Sequence, residues 1–227
     1  MSLRPCASCH PRTLGCRSAV ARTPRRRCGR PCEARVVPSR TLYLVRHGEA
    51  GGHDETDPGL TDHGRRQATA AGHALRDIDA GALLHSSRRR ARETAAHLAM
   101  SLPGIPVVQS HLVEDRTPVP DEWTDVPSRY HEFLRRVPAD EADPGGRMLD
   151  AAVRELASTG PEDDALVIVT HNFVIGWIVR SVLDAPWWRW IGLHQDHGAI
   201  TIVEWSSDRP ARLITFNERH HLPDPES

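Results

Sequence analysis

The chain has 227 residues, of which 39% are hydrophobic and 26% are charged, and its mean hydropathy is -0.47. This composition is typical of a soluble globular protein and excludes a fibrous or wholly disordered chain. A membrane-embedded protein is also excluded, because no window approaches the roughly 18 consecutive apolar residues of a spanning helix. The net charge of -1 conceals an asymmetry, since residues 1–40 hold ten Arg and a single Glu while the remainder is acidic.

The first 40 residues are predicted to form a disordered basic extension. They are rich in Arg and Pro and lack the apolar periodicity of a packed element. Their Arg residues are not interleaved with aromatic residues, so no nucleic-acid partner and no membrane partner is predicted. No apolar signal-peptide core is present in this segment. Because the rest of the chain contains no Cys, it suits a reducing compartment, and we predict a cytoplasmic protein.

All Cys residues of the chain lie in this extension: Cys6, Cys9, Cys16, Cys28 and Cys32. Two alternatives to a disordered extension stay open. Cys6, Cys9 and His10 have the spacing of a c-type haem attachment site, although no export signal accompanies them. The pairs Cys6/Cys9 and Cys28/Cys32 have the spacing of zinc ligands, although the intervening segment lacks the apolar residues of a small zinc fold.

From Thr41 onward, strand and helix patterns alternate. The β-rich run at residues 41–45 predicts a buried strand that ends at Arg46 and His47. Thr61 is placed to cap a helix whose apolar residues are spaced for one buried face. The same order repeats in a strand at residues 82–85 and a helix after residue 90.

The second half of the chain continues this alternation. An extended piece at residues 105–109 precedes an irregular stretch and helical patterns at 128–137 and 149–156. The clearest buried strand, at residues 166–170, leads into His171 and an apolar helix. Residues 199–205 and 211–216 predict a final hairpin or edge pair. We therefore predict a three-layer α/β/α sandwich with a mostly parallel, mixed central sheet over residues 41–220, followed by a disordered tail at 221–227.

Polar residues follow several of these strands. Because open α/β sheets place ligands at the carboxyl ends of their strands, residues 46–47, 86–90, 114–115 and 170–172 are expected to converge in one crevice. Two His, two or more Arg and a carboxylate suit the transfer of a dianionic phosphoryl group. Arg guanidinium groups match phosphate oxygens, and neutral imidazole is a competent nucleophile. A carboxylic acid can protonate the leaving alkoxide and later accept a proton from water.

The motifs around these residues resemble those of the histidine phosphatase superfamily, the group that contains phosphoglycerate mutase-like enzymes. Residues 44–50 (Leu-Val-Arg-His-Gly-Glu-Ala) resemble its signature, and residues 86–95 resemble its second phosphate-binding segment. Residues 169–171, the Leu60-Thr61 segment with Gly64, and residues 198–201 also fit the family in order and spacing. Within the superfamily, residues 85–94, 102–104 and 112–114 are most similar to a mitochondrial mutase-like Ser/Thr protein phosphatase group.

The resemblance implies a role for individual residues. His47 corresponds to the phosphorylated nucleophile, and Glu114 to the proton donor. Arg46 and Arg90 correspond to the residues that bind the phosphoryl oxygens, and His171 is implied to be both catalytic and phosphate-binding. No metal and no cofactor are implied.

Two positions depart from the family and are candidate substrate-pocket residues. Asn172 stands where the family usually has Gly or Ala, and it either contacts substrate or caps the following helix. His197 stands where Asn is common. The pairs His194/His197 and His220/His221 lack a defined third ligand, so we predict no metal site there.

The leading functional hypothesis is a metal-independent, histidine acid phosphatase-type phosphomonoester hydrolase. Its expected partner is a small phosphorylated metabolite or a phosphoprotein substrate. The first alternative, a phosphoglycerate mutase-type phosphotransferase, is disfavoured because residues 51–57 lack the longer loop with Asn and Trp that the resemblance implies for mutases. The second, a non-catalytic phosphate-binding or scaffold protein, is disfavoured by the intact set of catalytic residues. The sequence leaves the oligomeric state open.

Overall fold

The structure is a computed structural model that describes residues 37–52 and 56–224. Residues 1–36 lie outside the described residues, and with them every Cys and therefore both the haem and the zinc alternatives. Residues 53–55 and 225–227 also lie outside. In the part of the chain that the structure describes, no helix is both long and apolar enough to cross a bilayer.

A mixed six-stranded sheet forms the centre of the fold. The strands are β1 (Ser39–Arg46), β2 (Ala82–His85), β3 (Val107–Gln109), β4 (Thr117–Val119), β5 (Ala142–Pro144), β6 (Asp164–Thr170), β7 (Ile200–Ser206) and β8 (Arg209–Glu218). The order of the main sheet is β3-β2-β6-β1-β7-β8, and β4 pairs with β5 in a separate two-stranded sheet. In the main sheet β1, β2, β3 and β6 run parallel, while β7 and β8 are antiparallel to their neighbours.

Helices cover both faces of this sheet. They are α1 (Asp62–Leu75), α2 (Arg89–Ala99), α3 (His131–Arg135), α4 (Arg147–Leu156) and α5 (Asn172–Val182). Alternate residues of β6 belong to different cores, since Val167 and Val169 pack with α1 and α2 while Ile168 packs with α4 and α5. This period of two is the expected pattern for a strand buried on both faces. The predicted three-layer α/β/α sandwich is confirmed.

Local signals in the sequence account for the first helix. The Thr61 side chain accepts a hydrogen bond from the Gly64 N–H at 2.9 Å, which satisfies one of the free donors of the first turn. The predicted apolar face is buried and includes Ala68, Ala71 and Leu75. The helix therefore begins and faces the sheet where the sequence pattern places it.

The structure differs from the predicted elements in three places. Residues 128–137 form a 3-10 turn (Ser128–Tyr130) and the short α3 rather than one helix. Strand β4 lies in the stretch that is predicted to be irregular, β5 lies between the two predicted helical patterns at 128–137 and 149–156, and each strand has only three residues. At the ends, β1 begins two residues before the predicted boundary at 41, and His221 hydrogen-bonds the Gly198 carbonyl at 3.0 Å beyond the boundary at 220. The pairing of β4 with β5, the Ser39–Asp163 contact and the His221–Gly198 contact join segments distant in sequence, which local patterns do not encode.

The loop after β1 packs against the first turn of α1 without room for a side chain. A Cβ atom on Gly48 would lie 2.4 Å from the Gly64 carbonyl oxygen, and a Cβ atom on Gly64 would lie 2.0 Å from the Glu49 carbonyl oxygen. Both obstacles are backbone atoms, so neither clash is relieved by a rotamer change. The two glycines allow the loop and the helix to touch directly.

We expect Gly64→Ala to destabilise the domain by about 1–3 kcal/mol, because overpacking outweighs the better helix propensity of Ala. The matched control is Gly160→Ala, since a Cβ atom there meets nothing within 4 Å. Urea unfolding of both variants and the wild type measures the difference. A Gly64→Ala variant as stable as the wild type would contradict the proposed steric role.

Candidate functional site

The carboxyl ends of three neighbouring parallel strands meet at one edge of the sheet. The register pairs Arg46 of β1 with Thr170 of β6, and His85 of β2 with Val169 of β6. The next residues are therefore brought together, and the His47 N–H donates to the Thr170 carbonyl at 3.0 Å. The rings of His47 and His171 lie 5.1 Å apart between centroids. The structure thus brings His47 and His171 together at this edge, as the sequence predicts.

His47 is a buried imidazole with a defined tautomer. Only 7% of the residue is exposed, and its Nδ1 lies 2.8 Å from the Gly48 carbonyl oxygen. Because a carbonyl oxygen can only accept, Nδ1 carries the proton and Nε2 keeps its lone pair. Burial lowers the pKa of His47 well below its usual value, and the nearby His171 acts in the same direction. His47 is therefore neutral at neutral pH, with Nε2 available as a nucleophile.

Hydrogen bonds from both α1 and α2 hold the loop that carries His47. The Gly48 N–H donates to Thr94 Oγ1 at 3.0 Å, and Thr94 Oγ1 donates to the Arg90 carbonyl at 2.7 Å. The Glu49 N–H donates to Gln67 Oε1 at 2.8 Å. These contacts position the loop independently of any ligand.

His171 is also buried, with 3% of the residue exposed. Its Nδ1 lies 3.3 Å from Asp115 Oδ2, and its Nε2 lies 2.7 Å from Ser86 Oγ. Nδ1 makes no hydrogen bond within the described residues, and the Ser86 hydroxyl can either donate to Nε2 or accept from it. Burial lowers the pKa of His171 well below its usual value, and Arg90 and Arg88 add to this effect.

Two arginines supply the positive charge of the site. Arg46 Nη1 donates to the Gln195 carbonyl, and its buried Nε has no hydrogen-bond partner among the described residues. Arg90 Nη2 donates to Asp115 Oδ2 at 2.5 Å, and 15% of the Arg90 side chain is exposed. Largely buried guanidinium groups are suited to bind an oxyanion.

The two adjacent carboxyl groups, Glu114 and Asp115, occupy different positions. Glu114 accepts hydrogen bonds from the Ser87 N–H at 2.9 Å and from the Ser87 hydroxyl at 2.7 Å. Asp115, and not Glu114, contacts Arg90 and lies beside His171. Burial raises the pKa of Asp115, although Arg90 acts in the opposite direction. The structure thus places the Asp115 carboxyl group closer to Arg90 and His171 than the carboxyl group of Glu114, the predicted proton donor.

The candidate pocket residues Asn172 and His197 both border the site. Asn172 Oδ1 accepts the Gln195 N–H at 2.7 Å, so its side chain neither caps α5 nor points free into the pocket. Through this bond Asn172 positions the Gln195 carbonyl that holds Arg46. The His197 ring lies 5.3 Å from that of His47, and burial, with Arg46 nearby, lowers the pKa of His197 to about 4.

Sequence reasoning did not identify Gln195. This residue is fully buried, and its Oε1 accepts a hydrogen bond from the Thr201 hydroxyl at 2.5 Å. It lies in an irregular loop without a strand or helix pattern, so no local signal marks it. Within the described ranges, no group of three or more His, Cys, Asp or Glu side chains is arranged to hold a metal ion.

Comparisons with known proteins agree with this geometry. The model of the histidine phosphatase superfamily (branch 1) matches residues 42–218. The mouse mitochondrial Serine/threonine-protein phosphatase PGAM5 is 30% identical over 198 residues, which cover 82% of this chain and 65% of that protein. The chain therefore spans less than two thirds of the length of this relative.

Solved structures share the fold. A mycobacterial glucosyl-3-phosphoglycerate phosphatase has a TM-score of 0.59 at 21% identity, covering 80% of this chain and all of that one. A phosphoglycerate mutase from Plasmodium falciparum has a TM-score of 0.54 at 19% identity, covering 82% of this chain and 96% of that one. The family model shows that the chain belongs to this superfamily, and the solved structures show the shared fold.

We expect NMR to find His47 and His171 neutral at pH 6.5, with the proton of His47 on Nδ1, because burial opposes protonation and the Gly48 carbonyl accepts from that nitrogen. Long-range nitrogen–proton correlation spectra distinguish the two tautomers. A proton on Nε2 of His47 would show that the nucleophilic atom is misassigned. Spectra of His47→Gln and His171→Gln variants assign the two signals.

Proposed function

Since this chain belongs to branch 1 of the histidine phosphatase superfamily, we propose that it is a phosphomonoester hydrolase that acts through a phosphohistidine intermediate on His47. One observation carries the proposal. The Nδ1 proton of His47 is committed to the Gly48 carbonyl at 2.8 Å, which leaves a neutral Nε2 on a ring that lies 5.1 Å from that of His171 and feels the charge of Arg90. An imidazole in this state can attack phosphorus.

In the first proposed step, His47 Nε2 attacks phosphorus, an N–P bond forms and the ester P–O bond breaks. The leaving oxygen takes a proton from the Glu114 carboxyl group. In the second step, water attacks the phosphohistidine, the N–P bond breaks and Glu114 recovers a proton from the water. His47 returns to its neutral form, so the cycle balances without a further reactant.

The remaining residues stabilise the transferring group in this proposal. Arg46 and Arg90 would bind the equatorial phosphoryl oxygens, and the Nδ1–H of His171 would donate to one of them. Two fixed guanidinium charges in a water-poor site supply the positive field, so the proposed reaction requires neither a metal nor a cofactor. Ser86 supports this role because its hydroxyl group satisfies Nε2 of His171 at 2.7 Å.

Transfer of the phosphoryl group to water is favoured over the phosphoglycerate mutase-type transfer to another substrate molecule. Residues 51–57 are too short and lack the Asn and Trp of the loop that the family resemblance implies for mutases. The mouse relative is named a protein phosphatase, and the mycobacterial neighbour a sugar-phosphate phosphatase. Small phosphorylated metabolites and phosphoproteins are therefore the two substrate classes to compare.

The direct test is to trap the intermediate. Wild-type protein mixed with a ³²P-labelled phosphomonoester and quenched rapidly in base should carry acid-labile, base-stable label on His47. His47→Ala should lose both the label and p-nitrophenyl phosphate turnover while keeping its melting temperature. The control is His73→Ala, which removes an exposed histidine near the end of α1. Label on another residue, or normal turnover by His47→Ala, would refute the mechanism.

We expect Glu114→Gln to lower turnover about 100-fold or more for alkyl phosphates, and far less for p-nitrophenyl phosphate, because only a poor leaving group needs the proton. Steady-state kcat values of the variant and the wild type with both substrates measure this dependence on the leaving group. The matched variant is Asp115→Asn, which changes the neighbouring carboxyl group. If Asp115→Asn shows the leaving-group dependence and Glu114→Gln does not, the proton donor is Asp115.

A further inference from the structure

We propose that Asp115 is an anionic competitor built into the phosphoryl subsite, and that its carboxylate takes up a proton when a phosphoryl dianion binds. The inference rests on the proposed function, because it treats Arg90 and His171 as phosphoryl ligands. It adds a residue whose charge makes substrate binding depend on pH.

The geometry of Asp115 resembles that of a bound oxyanion. Its Oδ2 atom lies 2.5 Å from Arg90 Nη2 and 3.3 Å from His171 Nδ1. These are the donor atoms that the proposed mechanism offers to phosphoryl oxygens. Both side chains of the ion pair are largely buried, with 15% of Arg90 and 16% of Asp115 exposed. A phosphoryl group that uses both donors must therefore compete with this carboxylate.

The charge of the subsite makes the competition strong. Both histidines are neutral at neutral pH, because burial lowers their pKa values. Arg46 and Arg90, the proposed phosphoryl ligands, then carry the positive charge, and an ionised Asp115 offsets that of Arg90. A dianion beside a carboxylate meets like-charge repulsion in a site of low dielectric constant. Protonation of Asp115 removes this repulsion and frees Arg90.

The charged groups around Asp115 act in both directions. Arg90 and Arg88 at the start of α2, and Arg46 at the end of β1, favour its ionised form. Burial outweighs them, and the pKa of Asp115 is raised. Protonation is therefore reached at a higher pH than for an exposed Asp, and the protonated fraction falls as pH rises.

Two further acids sit close to this cluster. Glu141 lies 3.2 Å from Arg88, and Asp57 lies 3.8 Å from Arg90. Burial and the charge of Asp115 raise the pKa of Glu141. Both acids partly neutralise the arginines, so they weaken the stabilisation of an ionised Asp115. Arg116 and Asp140 line the same pocket as Asp115, with charges of opposite sign. Glu114 and His171 are further titratable groups beside Asp115, and Glu114 is engaged by Ser87.

The experiment measures binding of inorganic phosphate to the full chain by isothermal titration calorimetry. At pH 8, where phosphate is mostly dianionic, titrations in buffers with different ionisation enthalpies count the protons taken up. We expect the wild type to take up close to one proton per phosphate and to bind more weakly than at pH 6. Asp115→Asn should bind phosphate at least about tenfold more tightly at pH 8 and take up almost no proton.

The control is Asp121→Asn, which removes an Asp–Arg pair of the same length outside the site, since Asp121 Oδ2 lies 2.5 Å from Arg147 Nη1. It should leave affinity and proton uptake unchanged. Proton uptake by the wild type tests the inference even if Asp115→Asn does not fold. No uptake by the wild type, or unchanged affinity in a folded Asp115→Asn, would overturn the role of Asp115 alone. If phosphate binds to none of the proteins at pH 6 or pH 8, the phosphoryl site and the proposed function both fail.

Discussion

The hydrogen bond between Nδ1 of His47 and the carbonyl oxygen of Gly48 sets the chemistry of the site. It commits one ring nitrogen to the backbone, so the other nitrogen keeps a lone pair. The bond depends on the orientation of the Gly48–Glu49 peptide, whose N–H donates to Gln67 Oε1 at 2.8 Å, while Thr94 holds the preceding peptide through the Gly48 N–H. The close backbone contact between Gly48 and Gly64 adds a steric limit on the same peptide. The reactive state of one imidazole therefore depends on packing between the loop and two helices.

A second constraint follows from burial. A desolvated imidazole resists protonation, so the histidines contribute hydrogen bonds rather than charge. Permanent positive charge must then come from guanidinium groups, which stay ionised in such surroundings. Arg46 is held by the Gln195 carbonyl and Arg90 by the Asp115 carboxylate. The first contact is neutral and the second is anionic, so ligand binding affects the two arginines differently.

Sequence patterns predicted most of the fold because the main elements are amphipathic or fully buried. Strand β6 is a continuous apolar run, and α1 has both a capping residue and a periodic apolar face. Strands β4 and β5 were not predicted, since three residues are too few for a period-two pattern. Their pairing depends on a contact between segments about 25 residues apart in the chain.

For the site, the sequence by itself determined which residues follow the central strands, and so brought His47 and His171 into one group. The motifs also marked Arg46, Arg90 and Glu114 as their partners. Only the tertiary structure decided which ring nitrogen is free, that Asn172 acts on the backbone of the 194–197 loop, and that Asp115 rather than Glu114 contacts Arg90. The physical reason is that strand order follows from local hydrophobic patterns, whereas tautomers and carboxylate partners depend on distances of a few ångströms between distant segments.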